Sequence, residues 1–556
     1  MATHDVFNQP PARVDVDEFG SNIALREGVE RYDAEWALPA LAEVGRYVGT
    51  AEFQHDAERA NRVEPELRAF DPYGHRIDEV DYDSSYHRVI GAAVAAGAHT
   101  SAWADPKPGA NVARAATFML FAQIEPGHAC PISMTHAAVP VVTQNRMLAE
   151  AWMPRLLSRD YDGSLGGPSK RSALFGMAMT EKQGGSDVRS NTTRAVASGE
   201  SDGVYRLTGH KWFCSAPMSD GFLMLAQTDA GLGCFLVPRV LGGASGDGER
   251  NVFRIQRLKD KLGNRANASS EIELDGTLGV LVGEEGRGVR TIIEMVSRTR
   301  LDCILGTAAG MRQSTAEALW HVRHRSAFGA RLVDQPAMTA VVADLALETE
   351  AATATALRLA RAHDVDASEA ELAFRRLATA VAKYWICKRG PGHAYEALEC
   401  LGGNGYTEAL PLARRYREQP VMAVWEGSGN VIALDVLRAL GGERGGGPGS
   451  GRSGTFEAFE AEVALAAGEH PVFDAHLARI RRRVAEVAAM DAPDAAASAR
   501  SLVADLALAL QASLLLRTTP SEVSHTFVES RLGESRGHLY GELPVGAPLA
   551  AIIARS

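Results

Sequence analysis

Residues 176 to 280 interrupt an otherwise helical chain, and that interruption limits the architecture more than any other feature. Within this block, short runs of β-formers sit between Gly, Asp and Asn turns: Tyr205–Thr208, Lys211–Cys214, Phe222–Ala226, Cys234–Val237, Val252–Ile255 and Glu271–Leu274. Closely spaced short strands with turn signals between them imply a compact β-domain. Before it, Asp33–Gly49 and Arg114–Gln123 carry apolar residues at three- and four-residue spacing, and clusters such as Pro106–Gly109 break the helices. After it, alanine-rich helical patterns return in Val289–Arg300, Met311–His324, Thr339–His363 and Glu369–Lys388, as close packing in a bundle requires. A glycine-rich stretch follows at 441–454, with glycine at eight of its fourteen positions, which is linker composition. Residues 455–556 are helical again. The reading is an α+β, mainly α chain: a helical domain over 1–175, a central β-domain over 176–280, a helical domain over 281–440, the linker 441–454, and an appended helical domain.

Charge and cysteine content narrow the function classes. The formal net charge is −11, so a general polyanion binder is not the default. Cysteines at 130, 214, 234, 303, 387 and 400 show no CxxC spacing, so free thiols in a reducing cytoplasm are expected. The N-terminus has no basic and apolar leader pattern. The apolar stretch Leu502–Leu516, broken by Asp505 and Gln511, reads as too short to span a bilayer. The expectation is a cytoplasmic protein with no membrane partner. No zinc spacing, Walker A motif, nucleophile elbow or GxGxxG after a strand occurs, so no metal is expected.

Six short constellations remain, each weak alone. Met179-Thr180-Glu181-Lys182-Gln183-Gly184-Gly185-Ser186-Asp187-Val188 is a tight turn, either purely structural or holding the polar edge of a cofactor. Gly209-His210-Lys211-Trp212-Phe213-Cys214-Ser215 is either an aromatic wall with a hydroxyl rim or a strand burying its own rings. Asp260–Asn267 is a third. Arg323-His324-Arg325-Ser326-Ala327-Phe328-Gly329, with Gln335 after it, is a basic cluster suited to a pyrophosphate or a solvated face. Leu401-Gly402-Gly403-Asn404-Gly405-Tyr406 and Trp425-Glu426-Gly427-Ser428-Gly429-Asn430 complete the series. In the last, a carboxylate beside Trp suits proton abstraction if buried, and the Gly and Ser also suit a helix start.

The order of these motifs resembles the acyl-CoA dehydrogenase family, over residues 50–440. A narrower resemblance is to its AidB subfamily, flavoproteins of the bacterial adaptive response to DNA alkylation. It rests on Phe7-Asn8-Gln9-Pro10, MTEKQGGSDV, GHKWF, RLKDKLGNR and WEGSGN. The resemblance implies the acyl-CoA dehydrogenase fold, with an N-terminal helical domain, a β-barrel-like middle domain and a C-terminal four-helix bundle around FAD. It also implies a homotetramer acting on an acyl-CoA.

By the same resemblance, Met177, Met179, Thr180, Gly185 and Ser186 lie on the flavin side of the first turn, and Phe213, Cys214 and Ser215 lie against the flavin ring. Arg325, Phe328 and Gln335 match residues that reach a neighbouring subunit's FAD. Gly402 and Gly403 match the adenosine turn, and Trp425, Ser428 and Asn430 match further FAD contacts. Glu426 matches the catalytic base, and Arg438 an arginine near the active-site cavity. The implied reaction is α,β-dehydrogenation, with Glu426 taking the α-proton. Phe213 replaces the family's Trp, Ser215 its usual Thr, and Glu181-Lys182-Gln183-Gly184 its Glu-Pro-Gly turn. These departures imply low turnover with flavin binding kept. The alternatives are a fully active enzyme for an unusual, for example branched, thioester, and a DNA-binding scaffold with structural FAD.

Double-stranded DNA is the other implied partner, through the appended domain. From 455 onward there are nine arginines, no lysine and thirteen acidic residues, a balance of −4. Arg479, Arg481, Arg482 and Arg483 form its only dense basic cluster, and are the candidate phosphate contacts.

Overall fold

A computed structural model of the chain describes residues 3–167, 169–199, 201–242, 248–441, 454–534 and 537–556. The linker 441–454, apart from its two end glycines, and most of the loop Gly242–Gly248 lie outside the described residues. The fold divides into two compact units: Glu52–Pro106 with Glu125–Asp302, and Met1–Ala51 with Lys107–Ile124 and Cys303–Ser556. These units cut across the boundaries expected from texture. The helical stretch 1–175 divides between them, and residues 454–556 belong to the same unit as the helices after Cys303.

The first unit is built on strands β1 (Glu66–Phe70), β2 (Arg76–Asp81), β3 (Phe175–Ala178), β4 (Arg194–Ala197), β5 (Val204–Ser215), β6 (Gly221–Thr228), β7 (Gly231–Pro238), β8 (Arg254–Leu258) and β9 (Ser269–Val282). The hairpin β1–β2 corrects the all-helical reading of 1–175. Its signal is Asp71-Pro72-Tyr73-Gly74 between two β-compatible runs, with Gly74 at φ 87° closing the turn. Two of the expected strands, Tyr205–Thr208 and Lys211–Cys214, are one strand, β5. Strands β9, β5, β4, β6 and β7 pair in a closed ring, with β8 and β3 on its flanks. Closure leaves those five strands without an open edge.

β6 shows why its sequence is continuously apolar. Phe222, Met224 and Ala226 enter one core with Leu207, Cys214, Phe235 and Ile272. Leu223 and Leu225 enter another with the helices Ala129–Val142 and Arg146–Leu156. A strand buried on both faces has no polar alternation.

The second unit is helical: α1 (Ala110–Ala122), the Cys303–His324 part of α2 (Gly288–His324), α3 (Pro336–Arg361), α4 (Glu369–Glu399), α5 (Leu412–Met422), α6 (Gly429–Gly441), α7 (Pro471–Ala489), α8 (Ala492–Thr518) and α9 (Ser521–Leu532). Every residue of α1 is buried, as its apolar circumference demands. α4 starts where Ser368 accepts from the Glu371 backbone N–H at 3.3 Å, a Ser-x-x-Glu start.

Helix α8 packs on α3, α4, α6 and α7. The expected apolar stretch Leu502–Leu516 is part of this 27-residue helix, which is long and apolar enough by itself to cross a membrane. The length expectation is therefore corrected. Of its most apolar window, 78% is buried inside the fold, as in the core helix of a bundle. Buried ion pairs hold the C-terminal helices to α3 and α4. Arg358 on α3 bonds Glu371 at 2.7 Å and Glu462 at 2.8 Å, and Arg517 also reaches Glu462 at 2.7 Å. Arg531 on α9 pairs with Asp344 and, at 3.2 Å, with Glu348, which also takes Arg389 at 2.9 Å. None of the six cysteines forms a disulfide.

Candidate active site

In the β-containing unit, the site residues sit where β3 ends and where β5 bulges. Met177 and Met179 are partly buried against the core. Thr180 then leaves the strand, and its carbonyl accepts from the Trp212 N–H at 2.8 Å, which ties the turn to β5. The turn closes through Gly184 N–H to Glu181 C=O at 2.9 Å, with Gly184 at φ 127° and open space around it. Ser186 is exposed beyond it. A Cβ on Gly185 would stand 2.4 Å from the Thr180 hydroxyl oxygen. Gly185→Ala therefore displaces Thr180. The expected outcome is a lower flavin-to-protein absorbance ratio in the purified protein, with the fold kept by circular dichroism.

Glu181 and Lys211 hold this turn from below. Both side chains are fully buried and lie 3.0 Å apart. The Glu181 carboxylate also accepts from the Thr192 N–H at 2.7 Å, the Thr193 N–H at 3.1 Å and the Gln183 amide at 2.9 Å. Burial alone would raise its pKa. The hydrogen bonds and the Lys211 ammonium outweigh that and hold it far below the usual carboxylate range. Lys211 spends another proton on the Leu225 carbonyl at 2.7 Å. Sequence reasoning missed this pair. Its signal was a lysine at an inward strand position, which is tolerated only when paired.

The β5–β9 register slips between Lys211↔Ile272 and Cys214↔Ser270, so Trp212 and Phe213 together face Glu271. Such a bulge re-aims side chains. Here it presents Phe213, 46% exposed, beside the Trp212 ring at a centroid distance of 6.5 Å. Lys259 stands 3.2 Å over the Trp212 ring and 4.8 Å over Phe213. Ser215 meets the Ser269 hydroxyl at 3.0 Å. Cys214 points the other way, into the core, and burial pushes its thiol up to about 12. As a cofactor contact, Cys214 can therefore offer its backbone only.

In the helical unit, α5 runs out at Met422 and α6 begins at Gly429. The connecting turn carries Trp425, packed on Cys303, Cys387 and Met422, and then Glu426, which is half-buried. Glu426 has φ 58° and Gly427 φ 112°. A non-glycine residue held in the left-handed region costs on the order of 1–3 kcal/mol and persists only where its surroundings dictate it. Ser428 and Asn430 are exposed at the start of α6, where helix N–H groups attract anions.

Arg438 is not brought to this turn. It lies nine residues along α6 from Gly429, about 13 Å of helix rise, with most of its side chain exposed and its guanidinium near Asp435 at 3.6 Å. Gly402, at φ 59°, and Gly403 open a short turn after α4, and a Cβ at either would meet nothing within 4 Å.

Arg325 and Phe328 belong to a short hairpin after α2, and Gln335 directly precedes α3. Phe328 at the hairpin tip is fully exposed, at φ 53°. The Gln335 amide donates to the Ala327 carbonyl at 2.8 Å, and Arg325 donates to the Asn8 carbonyl at 2.7 Å. The Asn8 side chain pairs both backbone groups of Ser326 at 2.8 Å. No local pattern signals a contact 318 residues apart.

The fold, the motif order and the turn geometry agree with the comparisons. The Adaptive response protein AidB N-terminal domain matches residues 8–163. The acyl-CoA dehydrogenase middle domain matches 176–277, and the acyl-CoA dehydrogenase C-terminal domain matches 286–441. AidB of Escherichia coli K12 is 46% identical over 487 residues, 87% of each chain. The chain belongs to the acyl-CoA dehydrogenase family, in its AidB subfamily. Members of this family bind FAD. ACDH-11 of Caenorhabditis elegans, solved with C11-CoA, superposes with a TM-score of 0.85 at 26% identity, over 96% of this chain and 95% of that one. A glutaryl-CoA dehydrogenase of Mycobacterium smegmatis, solved with FADH2, shares the fold at a TM-score of 0.58 and 18% identity, over 74% and 96%.

The four arginines of the tail cluster are all paired, with three carboxylates between them. Arg479 pairs with Asp505 at 3.1 Å, Arg481 with Glu460, Arg482 with Glu486 at 3.5 Å and Arg483 with Asp505 at 3.4 Å. Of the other described tail arginines, Arg517, Arg531 and Arg555 pair with carboxylates, and Arg500 donates to the Tyr384 hydroxyl. Phosphate binding there would compete with these carboxylates.

Proposed function

We propose that this chain is an FAD-dependent flavoprotein of the acyl-CoA dehydrogenase type that removes an α-proton from an acyl-CoA thioester through Glu426. The observation that carries this reading is the strained turn: a half-buried carboxylate at φ 58°, packed beside Trp425 and leading into a helix N-terminus. The residues present fit FAD. Glycine cradles at Gly184 and Gly402–Gly403 leave the space a Cβ would fill, and Phe213 offers an exposed flat ring. In the β-containing unit, Thr180, Ser186, Phe213 and Ser215 would meet a flavin ring. In the helical unit, Gly402, Gly403, Ser428 and Asn430 would meet the adenosine and phosphates of an FAD. Bound FAD supplies the hydride acceptor.

The chain's own residues do the rest. Glu426 takes the α-proton, and its backbone N–H meets the thioester oxygen as enolate charge develops there. Lys211 and Glu181 keep the Thr180 turn against β5. The complex of the similar ACDH-11 with C11-CoA supports a long acyl thioester as the substrate class. The test is the visible flavin spectrum of the purified protein, followed by anaerobic titration with thioesters of graded chain length. Bleaching by one of them is the expected result. A protein with no flavin, or with flavin that no thioester reduces, overturns the reading.

A cytoplasmic homotetramer belongs to the same proposal, supported by Phe328, which a lone copy leaves wholly exposed at a hairpin tip. A DNA-protective role in alkylation stress is supported by the AidB similarity. The paired arginines argue against Arg481, Arg482 and Arg483 as its contacts. Replacing all three with alanine is expected to leave any mobility shift of linear duplex DNA, and its salt dependence, unchanged. A smaller salt slope in the variant would restore the cluster to a phosphate-binding role.

A further inference from the structure

Lys383 on α4 is 1% exposed. Its ammonium carries three donors, and its one hydrogen bond is to the Gly427 carbonyl at 2.6 Å. Among the described residues, no carboxylate stands within ion-pair distance of it. Lys388, further along α4, is a second cation that feels Lys383, and Arg500 from α8 acts on Lys388 in turn. Lys388 also lies against the turn: a Cβ on Gly429 would stand 2.6 Å from its Cε.

A buried ammonium with one neutral acceptor is costly. A methionine of nearly the same length would fill the space without that cost. Arg358 in the same unit repays its burial through Glu371 and Glu462. Lys383, like the buried Arg312 that ends on the Ser21 carbonyl and hydroxyl, meets a neutral acceptor instead. What it touches is the peptide directly after Glu426, at the point where the chain is strained.

We propose that Lys383 is the positioning residue of the Glu426 turn. Its ammonium grips the Gly427 carbonyl and holds the preceding residue in the left-handed conformation from which the carboxylate acts. The inference rests on the reading of Glu426 as the base. A charge-assisted bond is about twice as strong as a neutral one, which suits a clamp on a backbone that would otherwise relax.

The test is Lys383→Met in the flavin-loaded full chain. Three results are expected together. The melting temperature stays level or rises. Amide hydrogen exchange accelerates at least about tenfold in the peptide covering 425–429 and not elsewhere, the lower end of what losing one hydrogen bond to a charged group gives. Thioester affinity, read from the flavin spectral shift, is kept, while the reduction rate falls by about 10²-fold, as misplacement of a reacting group does. Lys383→Gln, which keeps a donor but not the charge, is expected to fall between wild type and Met.

Unchanged exchange in 425–429 overturns the inference. So does a lower melting temperature or a misfolded variant, because Lys383 would then be a stability element. If no thioester reduces the wild type, the reading of Glu426 fails, and the exchange result still decides whether Lys383 holds the turn.

Discussion

Glu426→Gln is expected to leave the visible flavin absorbance in place and to abolish anaerobic bleaching by an acyl thioester. The substitution keeps the size of the side chain and its place on the turn between α5 and α6, so Trp425 still packs on Cys303, Cys387 and Met422. The Lys383 bond goes to the Gly427 backbone and is also untouched. Only proton acceptance is lost. A positioned base contributes about 10²–10⁴-fold, so stopped-flow reduction should slow by that factor at unchanged thioester affinity. Equal rates in the two proteins would remove Glu426 from the role. Parallel loss of affinity and rate would mean that the carboxylate binds the thioester rather than deprotonating it.

Arg531→Leu is expected to have the largest effect on stability. The Arg531 guanidinium joins α9 to α3 through Asp344 and Glu348, whose side chains are 1% and 2% exposed. Asp344 also accepts from the Gly541 N–H at 2.8 Å. Removing the cation leaves Asp344 buried without its direct partner, with Arg389 acting on it only from further off, and breaking a buried pair from one side costs about 3–5 kcal/mol. Thermal unfolding of the helical unit should shift down by about 10 °C.

The pH dependence separates this from a packing loss. Burial alone would raise the Glu348 carboxyl, but Arg389 and Arg531 outweigh it and hold it at about 2, below its unfolded value of about 4.3. A depressed carboxylate contributes stability that is fully present above the unfolded value and is lost as pH falls through the folded one. The gap between wild type and Arg531→Leu should therefore be widest near neutrality and narrow between pH 5 and about 2. A gap that does not change with pH would assign the effect to packing instead.

Periodicity carried much of the fold. The period-3.6 pattern of α4 and the turn-punctuated β-runs of 204–282 depend on residues a few positions apart, and those spacings survive folding. It read β6 correctly as an apolar run between turns, although both faces of that strand are buried. It undersized α8, whose Leu502–Leu515 part is buried almost all round and so carries no solvent face to mark the helical period. The hairpin β1–β2 was hidden inside a helical stretch although Asp71–Gly74 marked its turn.

By itself, the sequence determined the order helices, β-domain, helices, the family that order belongs to, and the short motifs that carry Thr180, Phe213 and Glu426. Each is a local arrangement, set by side chains within one turn or strand. Only the tertiary structure decided which of those residues can act. It turned Cys214 into the core and Phe213 outward through a bulge registered against Glu271. It carried Arg438 about two and a half helical turns along α6 from the turn that holds Glu426. It spent the tail arginines on carboxylates that lie as far off in sequence as Asp344 is from Arg531. And it set Lys383, 44 residues upstream, against the Gly427 carbonyl. The reason is the same in each case: a charge or a strained peptide is compensated by whatever group the packing brings within about 3 Å, and no spacing along the chain encodes that distance.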